Sequence, residues 1–241
     1  MLLIFTVKVG LMMKKDKGFK ENINYFTKNE TLKFVGIVLM VLAGLCYFFR
    51  LGFISYIIMS VGLPVGFILC LLGSFGRSSE SDIDNFARRH VGDVEVDFDE
   101  DKHLKKRLLK LPEPLESEGY VFREGLMLKR GKGAVTRSSE YAKEIIYHLD
   151  TALYISFRRI SVVSEDKDEG IIEIPYNEIS SFEVISEIKT IPFGKEPVRV
   201  TASELRIEYS GGKVFTMPVE SSIKSDAYVE RVKEMIAKAK A

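Results

Sequence analysis

Cysteine is scarce in this chain of 241 residues, and both examples, Cys46 and Cys70, lie in a single apolar stretch. If that stretch forms the two helices predicted below, the two cysteines differ in depth by about 20 Å, which is too far for a disulfide. We therefore interpret both as small core side chains. The rest of the chain has no cysteine, which agrees with a reducing cytoplasm.

Side chains that typically build catalytic and metal sites are also few. The three histidines, His90, His103 and His148, are scattered, and no two of them have metal-ligand spacing. No Ser-His-Asp or Cys-His set can be argued from spacing. The glycine-containing run at residues 130–137 lacks the residue order of a phosphate-binding loop, so we interpret it as a hairpin loop. The sequence thus predicts a protein that is not an enzyme and has no metal site and no cofactor.

Charge is nearly absent from residues 34–75, where Arg50 is the single charged side chain. One helix of that length would be about twice as long as the hydrocarbon core of a bilayer is thick, whereas two helices fit. Residues 50–52 offer the place to turn, because the charge of Arg50 resists burial and Gly52 tolerates a tight bend. We predict a two-helix transmembrane hairpin with its turn near 50–52. The lack of other ionisable groups argues against transport by this chain alone.

Basic residues flank the predicted hairpin. Residues 1–33 contain seven lysines and three acidic residues, and Arg77, Arg88 and Arg89 follow the second span. By the positive-inside rule, we predict a multi-pass protein of a prokaryotic inner (plasma) membrane with both termini in the cytoplasm. A methionine pair at positions 12 and 13 leaves open whether the first dozen residues are translated.

Small residues within the hairpin predict how its helices pack. Glycine lets two helices approach closely, and we expect this role at five positions. They are Gly36, Gly44, Gly62, Gly66 and Gly73. Gly62 and Gly66 have the GxxxG spacing, but Pro64 between them is expected to kink the helix and spoil a regular interface.

Residues 76–118 are interpreted as a juxtamembrane connector. They include a predicted short helix at 82–90 and a basic amphipathic segment at 102–111, which either lies on the inner leaflet or packs as a helix on the domain that follows. The basic residues proposed here for lipid or partner contact are Lys105, Lys106, Arg107 and Lys110.

Alternating apolar residues predict a mainly-β (α+β) domain over residues 119–241, with about seven strands. The expected strands are 120–128, 141–149, 152–164, 170–175, 179–188, 198–209 and 213–219. Residues 141–149 also fit a helix. A one-residue slip at Arg158 and Arg159 suggests a bulge, and a break is possible near Ser203.

After residue 222 the pattern becomes helical, which predicts a C-terminal helix that caps the domain. Its apolar face comprises Tyr228, Val232, Met235, Ile236 and Ala239.

Two runs in this domain, LYISFRRIS at residues 153–161 and IEIPYNEISSFEV at residues 172–184, resemble the bacterial pleckstrin-homology-like (PH-like and GRAM-like) domains. The resemblance covers roughly residues 120–240. It implies a binding or assembly platform without catalytic residues, and membrane-anchored members with two spans are similar in layout. It also implies that basic residues in the loop after the first strand contact lipid headgroups. Here these are Lys129, Arg130, Lys132 and Arg137.

The chain from Arg77 onward has 27 basic and 31 acidic residues, a net charge of −4. This charge argues against nucleic acid as a partner and leaves local basic patches as possible contacts for anionic lipid headgroups. We expect a non-enzymatic membrane protein whose cytoplasmic domain binds a protein partner, self-associates or scaffolds a complex. The alternative is an accessory subunit of a transporter, or a membrane-bound enzyme with an unrecognised site. We further expect residues 102–111 and 129–137 to face the inner leaflet together.

Overall fold

A computed structural model describes residues 18–27, 31–49, 52–74, 76–131, 135–192, 197–219 and 223–241. Arg50 at the predicted turn, Lys132 of the predicted contact set and the first dozen residues lie outside these ranges. The chain divides into two compact units, Met1–Ser79 (unit 1) and Glu80–Ala241 (unit 2).

Unit 1 contains a helical segment at residues 18–27 and two long apolar helices, α1 (Thr31–Phe48) and α2 (Phe53–Ser74). Both long helices have the length and apolar composition needed to cross a membrane, as the sequence predicted. Gly52, just before α2, has a φ of +73°, a left-handed conformation that glycine adopts without strain.

Helices α1 and α2 pack closely through glycines. A Cβ atom built on Gly36 would lie 2.6 Å from the carbonyl oxygen of Gly66, and one on Gly73 would lie 2.7 Å from the backbone nitrogen of Lys33. These contacts confirm that small residues bring the two helices together. Gly44 is different, because a Cβ there would meet nothing within 4 Å.

The prediction that Pro64 spoils the interface between the helices is wrong. Helix α2 continues through Pro64, and glycines on both sides of it face α1. A Cβ on Gly62 would lie 3.1 Å from the Cβ of Ala43, and one on Gly66 would lie 2.7 Å from the Cγ of Met40. The GxxxG pair therefore belongs to the interface despite the proline between its members.

Unit 2 is mainly β, with three antiparallel sheets and a C-terminal helix, as expected from the sequence. Nine strands occur among its described residues, where about seven were predicted. They are β1 (Leu115–Tyr120), β2 (Leu128–Arg130), β3 (Thr136–Ser138), β4 (Glu140–His148), β5 (Ala152–Ser161), β6 (Lys167–Pro175), β7 (Ile179–Ile191), β8 (Val198–Tyr209) and β9 (Lys213–Pro218). The helices are α3 (Glu80–Val91), α4 (Lys102–Arg107), a 3-10 turn (Tyr176–Glu178) and α5 (Ile223–Lys240).

The strand predicted at residues 120–128 is wrong, because β1 ends at Tyr120 and residues 121–127 form a loop. The sheets have the strand orders β1-β4-β5-β6, β2-β3 and β7-β8-β9. The main core lies between the two larger sheets and includes Ile146, Leu153, Leu205 and Met217.

Helix α5 closes this core on one side. Val229, Val232 and Ile236 are buried in the core, with Tyr228 and Met235 partly buried against it. The predicted apolar face is therefore confirmed, except that its last member, Ala239, is exposed.

The outer face of the four-stranded sheet is also covered, by residues that precede it in the chain. Val94 and Phe98 pack against Ile145, Tyr147 and Leu149, and the rings of Phe98 and Tyr147 make an edge-to-face contact at 4.8 Å. Helix α3 packs on β4 and β5. Residues from Glu80 on therefore belong to unit 2, and the boundary lies there instead of at residue 118.

This double coverage explains the ambiguous pattern at residues 141–149, which form strand β4. Eight of the nine residues of β4 are buried, because both of its faces pack against other elements. A strand buried on both faces loses the alternation of apolar and polar residues that distinguishes it from a helix.

The slip at Arg158 and Arg159 is not a bulge, because β5 pairs with β4 and β6 in continuous register. Phe157 packs on the inner core, whereas Arg158 donates to the carbonyl oxygen of Val91 at the end of α3. Ile160 is buried as well. The apolar pattern therefore shifts because the buried face changes, with pairing unchanged.

Strand β8 likewise continues through Ser203, where a break was predicted. Its buried residues change from Val200 and Ala202 to Leu205 and Ile207, so the buried face switches at that point.

Candidate functional site

The predicted basic residues form two groups near opposite ends of β4. Residues 129–137 precede this strand, whereas the backbone nitrogen of Leu109 donates to the carbonyl oxygen of His148 at its far end, over 2.8 Å. A strand of this length spans about 30 Å. The structure therefore does not bring the two basic groups together into one patch.

Arg107 is engaged within unit 2. Its Nη2 atom lies 2.7 Å from a carboxylate oxygen of Glu173, and its Nε atom lies 3.1 Å from a carboxylate oxygen of Asp150. The guanidinium thus fixes the end of α4 to the β4–β5 turn and to β6. Of the other predicted residues in this segment, Lys105 forms an ion pair with Asp99, and Lys106 and Lys110 are exposed.

Arg137 lies inside unit 2. Its guanidinium lies 2.7 Å from Asp84 and 3.0 Å from Glu80, and Asp84 also accepts from the hydroxyl of Tyr120 at 2.7 Å. The hydrogen bond from Arg137 is the largest cause of the lowered pKa of Asp84. Arg137 therefore links β3 to α3 and is not displayed for a ligand.

The remaining predicted residues of this loop are less enclosed. Lys129 is half-buried and Arg130 is exposed.

Glu144 and Arg159 form a buried ion pair between the sheets. The Oε1 atom of Glu144 lies 2.8 Å from Nη2 of Arg159, which also donates to the carbonyl oxygen of Thr216 on β9 at 2.6 Å. Glu144 is fully buried, and its Oε2 atom has no hydrogen-bond partner among the described residues. Burial raises the pKa of Glu144 to about 7. The pair links the two sheets and has no exposed surface on its carboxylate.

His148 joins three elements of the core. Its Nδ1 atom lies 3.1 Å from the hydroxyl of Tyr176, and its Nε2 atom lies 2.8 Å from the hydroxyl of Tyr228 on α5. Burial lowers the pKa of His148 to about 4, so the ring is neutral at pH 7. Scanning the sequence for catalytic sets missed this role, because both tyrosines are distant from His148 in the chain.

A groove beside β1 is a concave feature of unit 2. We call it the β1 groove. It has a volume of about 920 Å³, within the roughly 300–1,000 Å³ common for ligand sites. Its walls are residues 111–120 and 122, residues 201–204 of β8, the end of β9 at 218–219, and Ala227, Tyr228 and Arg231 of α5.

The first wall of the β1 groove is an unpaired strand edge. Strand β1 pairs only with β4 among the described strands. The backbone nitrogen of Val121 donates to the carbonyl oxygen of Glu140. In an antiparallel pair every second residue forms backbone hydrogen bonds with the partner strand, so this bond shows which residues of β1 face β4. The backbone groups of Glu116, Glu118 and Tyr120 therefore point away from β4, into the open edge.

The opposite wall contains a second open edge. The backbone nitrogen of Val219 donates to the carbonyl oxygen of Ser203, and β8 extends beyond that bond to Val198. By the same alternation, the backbone groups of Arg199 and Thr201 face the side that β9 no longer covers. Within the described part of the chain, no strand pairs with them there.

The β1 groove is lined by more negative than positive side chains. Four carboxylates, those of Glu113, Glu116, Glu118 and Glu204, line it together with one guanidinium, Arg231. Three of the carboxylates also contact cations. Glu116 lies 3.1 Å from Lys143, Glu118 lies 3.5 Å from Arg88, and Glu204 lies 2.7 Å from Lys189.

Among the described residues, no group of three or more His, Cys, Asp or Glu side chains is arranged to hold a metal ion. The β1 groove, with its open backbone edges, is the candidate site for binding another molecule. No family model matches this sequence, and neither the curated proteins nor the solved structures give a match.

Proposed function

We propose that this chain is a non-enzymatic protein of a prokaryotic inner membrane, with both termini in the cytoplasm, whose PH-like domain binds a protein partner or scaffolds a complex through the β1 groove. The observation that carries the proposal is the pair of open strand edges in the walls of that groove. Unpaired backbone donors and acceptors are a common means by which β domains recognise other chains.

The architecture of unit 2 supports the PH-like part of the proposal. A four-stranded and a three-stranded antiparallel sheet enclose one core, and a C-terminal helix closes it. This arrangement agrees with the resemblance carried by residues 153–161 and 172–184. In that superfold the domain serves as a binding platform.

The two apolar helices support the membrane part of the proposal. Only residues 75–79 connect α2 to α3, so the covalent connection holds any partner of unit 2 near the bilayer. The lysines before α1 and the arginines after α2 support a cytoplasmic position for both flanks.

The state of the buried polar groups supports a non-enzymatic role. Arg137, Arg159 and His148 each contact partners inside unit 2 that position secondary structure. These contacts give each of the three side chains a structural role in unit 2.

Site-directed photocross-linking in intact cells that contain the full chain tests the proposal. A photoreactive residue replaces Glu116 or Thr201 in the β1 groove, and Ser180, exposed on β7, serves as the matched control. We expect the same discrete cross-linked product in the membrane fraction from positions 116 and 201, and none from position 180. Absence of a product from the groove, or equal products from all three positions, would contradict the proposal.

A further inference from the structure

We propose that the β1 groove receives an extended segment of a partner protein that carries basic side chains, and that this segment adds to β1 as a further strand. The inference rests on the proposed function and specifies its mode of binding. Three observations carry it, namely which strand edges are open, which edge is closed, and the charge of the walls.

The open edge of β1 has the length of a short strand. Its six residues span about 20 Å, and the outward backbone groups of Glu116, Glu118 and Tyr120 repeat at the spacing of an antiparallel ladder. An added segment of about six residues would satisfy these groups.

The edge of β9 that faces the groove is closed, in contrast to the open edge of β1. The bond pattern between β8 and β9 directs the backbone groups of Thr216 and Pro218 away from β8. The carbonyl oxygen of Thr216 accepts from Arg159, and that of Pro218 accepts from the hydroxyl of Ser117. Pro218 also has no N–H group to offer. Side chains and a proline thus close the β9 edge, whereas the outward groups of β1 have no such partner among the described residues.

The charges that line the groove indicate which side chains the bound segment carries. Four carboxylates and a single arginine line the groove; three of the carboxylates contact Lys143, Arg88 and Lys189, whereas the exposed carboxylate of Glu113 has no such contact among the described residues. Alternate side chains of an added strand point to the same side, so every second residue of the segment would meet these carboxylates. A lysine or arginine of the segment beside Glu113 complements the one carboxylate of the four without a cation contact among the described residues.

The competing explanation is that Glu116 and Glu118 only protect an exposed edge from aggregation, since charges on edge strands have that effect. Binding of a defined peptide distinguishes the two. The probe is a nine-residue peptide that alternates lysine and valine, added to the full chain in nanodiscs of neutral phosphatidylcholine. Neutral lipid removes the attraction between the peptide and the bilayer.

We expect saturable binding, measured by fluorescence anisotropy, and slower hydrogen exchange in residues 115–120. The β6 segment 167–175 and the β7 segment 179–191 serve as internal controls and should not change. A peptide N-methylated on alternate residues, which removes one edge of donors, should bind about tenfold more weakly. A peptide of alternating glutamate and valine should also lose about tenfold.

Charge reversal in the protein provides a matched pair of variants. Glu113→Lys should weaken binding of the lysine peptide severalfold, because it reverses a charge at the groove. Glu183→Lys makes the same change at an exposed position on β7 and should leave binding unchanged.

Strand addition at β1 is overturned if residues 115–120 gain no protection at about 1 mM peptide. Equal binding of the N-methylated peptide, or stronger protection of β6 or β7, also overturns it and favours edge protection alone. If the cross-links from positions 116 and 201 form while the peptide fails, the proposed function stands and this mode of binding is rejected. If both fail, the proposed function is rejected as well.

Discussion

His148 shows how a single buried side chain makes the stability of unit 2 depend on pH. Burial lowers its pKa in the folded state to about 4, from an ordinary value of 6.5. Between these two values the unfolded chain binds more protons than the folded one, so the stability due to neutral His148 falls as the pH is lowered from about 6.5 to about 4. The loss is at most about 3 kcal/mol. Glu144 acts in the opposite sense, because its raised pKa removes stability as the pH rises toward 7.

His148→Gln isolates the histidine contribution, because glutamine offers a donor and an acceptor but does not titrate. We expect the difference in unfolding free energy between wild type and variant to shrink by about 2 to 3 kcal/mol as the pH falls from 6.5 to 4. Urea unfolding of residues 80–241 at a series of pH values measures this difference. A difference that stays constant with pH would contradict the assignment of a neutral buried ring.

Arg137 and Arg130 illustrate how two arginines in one stretch of sequence have different roles. Arg137→Met should destabilise unit 2 by about 2 kcal/mol, because it leaves the carboxylates of Glu80 and Asp84 without their buried partner. We place the loss below the roughly 3 to 5 kcal/mol of fully buried pairs, since these carboxylates are 30% and 33% exposed. The midpoint of urea unfolding measures the effect.

Arg130→Met is the matched control for Arg137→Met. Arg130 is exposed, so its replacement should change the unfolding free energy by less than about 0.5 kcal/mol. Equal effects of the two substitutions would show that the contacts of Arg137 with α3 do not stabilise the fold.

The helices and strands show where the pattern of a sequence is sufficient and where it is not. The two apolar helices and the buried face of α5 follow from local sequence, because Val232 and Ile236 occupy the face that helical periodicity predicts. Strand β4 was ambiguous, and β5 suggested a bulge, because residues distant in the chain cover their outer faces. Periodicity records how many faces are buried but not which element buries them.

The candidate site could not be predicted from the sequence, for a related reason. Lys129, Arg130 and Arg137 look alike in a list of basic residues, and only tertiary contacts show that Arg137 is enclosed. The openness of the β1 edge depends on which strands pair with β1 in three dimensions. A sequence pattern does not show whether the edge of a strand is paired in the folded structure.

The glycines between α1 and α2 provide a test of how these two helices pack. Gly36→Leu should separate the helices, because a Cβ at this position would lie 2.6 Å from a backbone oxygen of α2. Cys70 lies at this interface, with its Sγ atom 3.5 Å from the carbonyl oxygen of Lys33. We expect its reaction with a thiol reagent in detergent micelles to become about tenfold faster. Gly44→Leu faces open space and should leave the rate unchanged; a faster reaction there would contradict the packing described.

The whole molecule divides at residues 79 and 80, which yields a prediction about its fragments. Residues 80–241 should fold alone, with one cooperative thermal transition by circular dichroism. Residues 119–241 lack α3, Val94, Phe98 and most of β1, so Ile145 and Tyr147 would be exposed on the outer sheet face and one edge of β4 would be unpaired. We expect that fragment to bind a hydrophobic dye and to aggregate. Cooperative folding of residues 119–241 would restore the boundary that the sequence suggested.

The residues that cover the outer sheet face are synthesised before the strands that they cover. Ile83, Phe86 and Val94 leave the ribosome before β4 and β5, although α3 packs on those strands and Val94 packs on Ile145 and Tyr147. At about 5 to 20 residues per second, the ribosome needs several seconds to synthesise the strands β4 and β5 on which these residues pack. Throughout that interval the apolar side of α3 is open to chaperones. Substitutions that slow the pairing of β4 with β5 are therefore expected to lower the yield of folded protein in cells more than they lower the stability of the purified molecule.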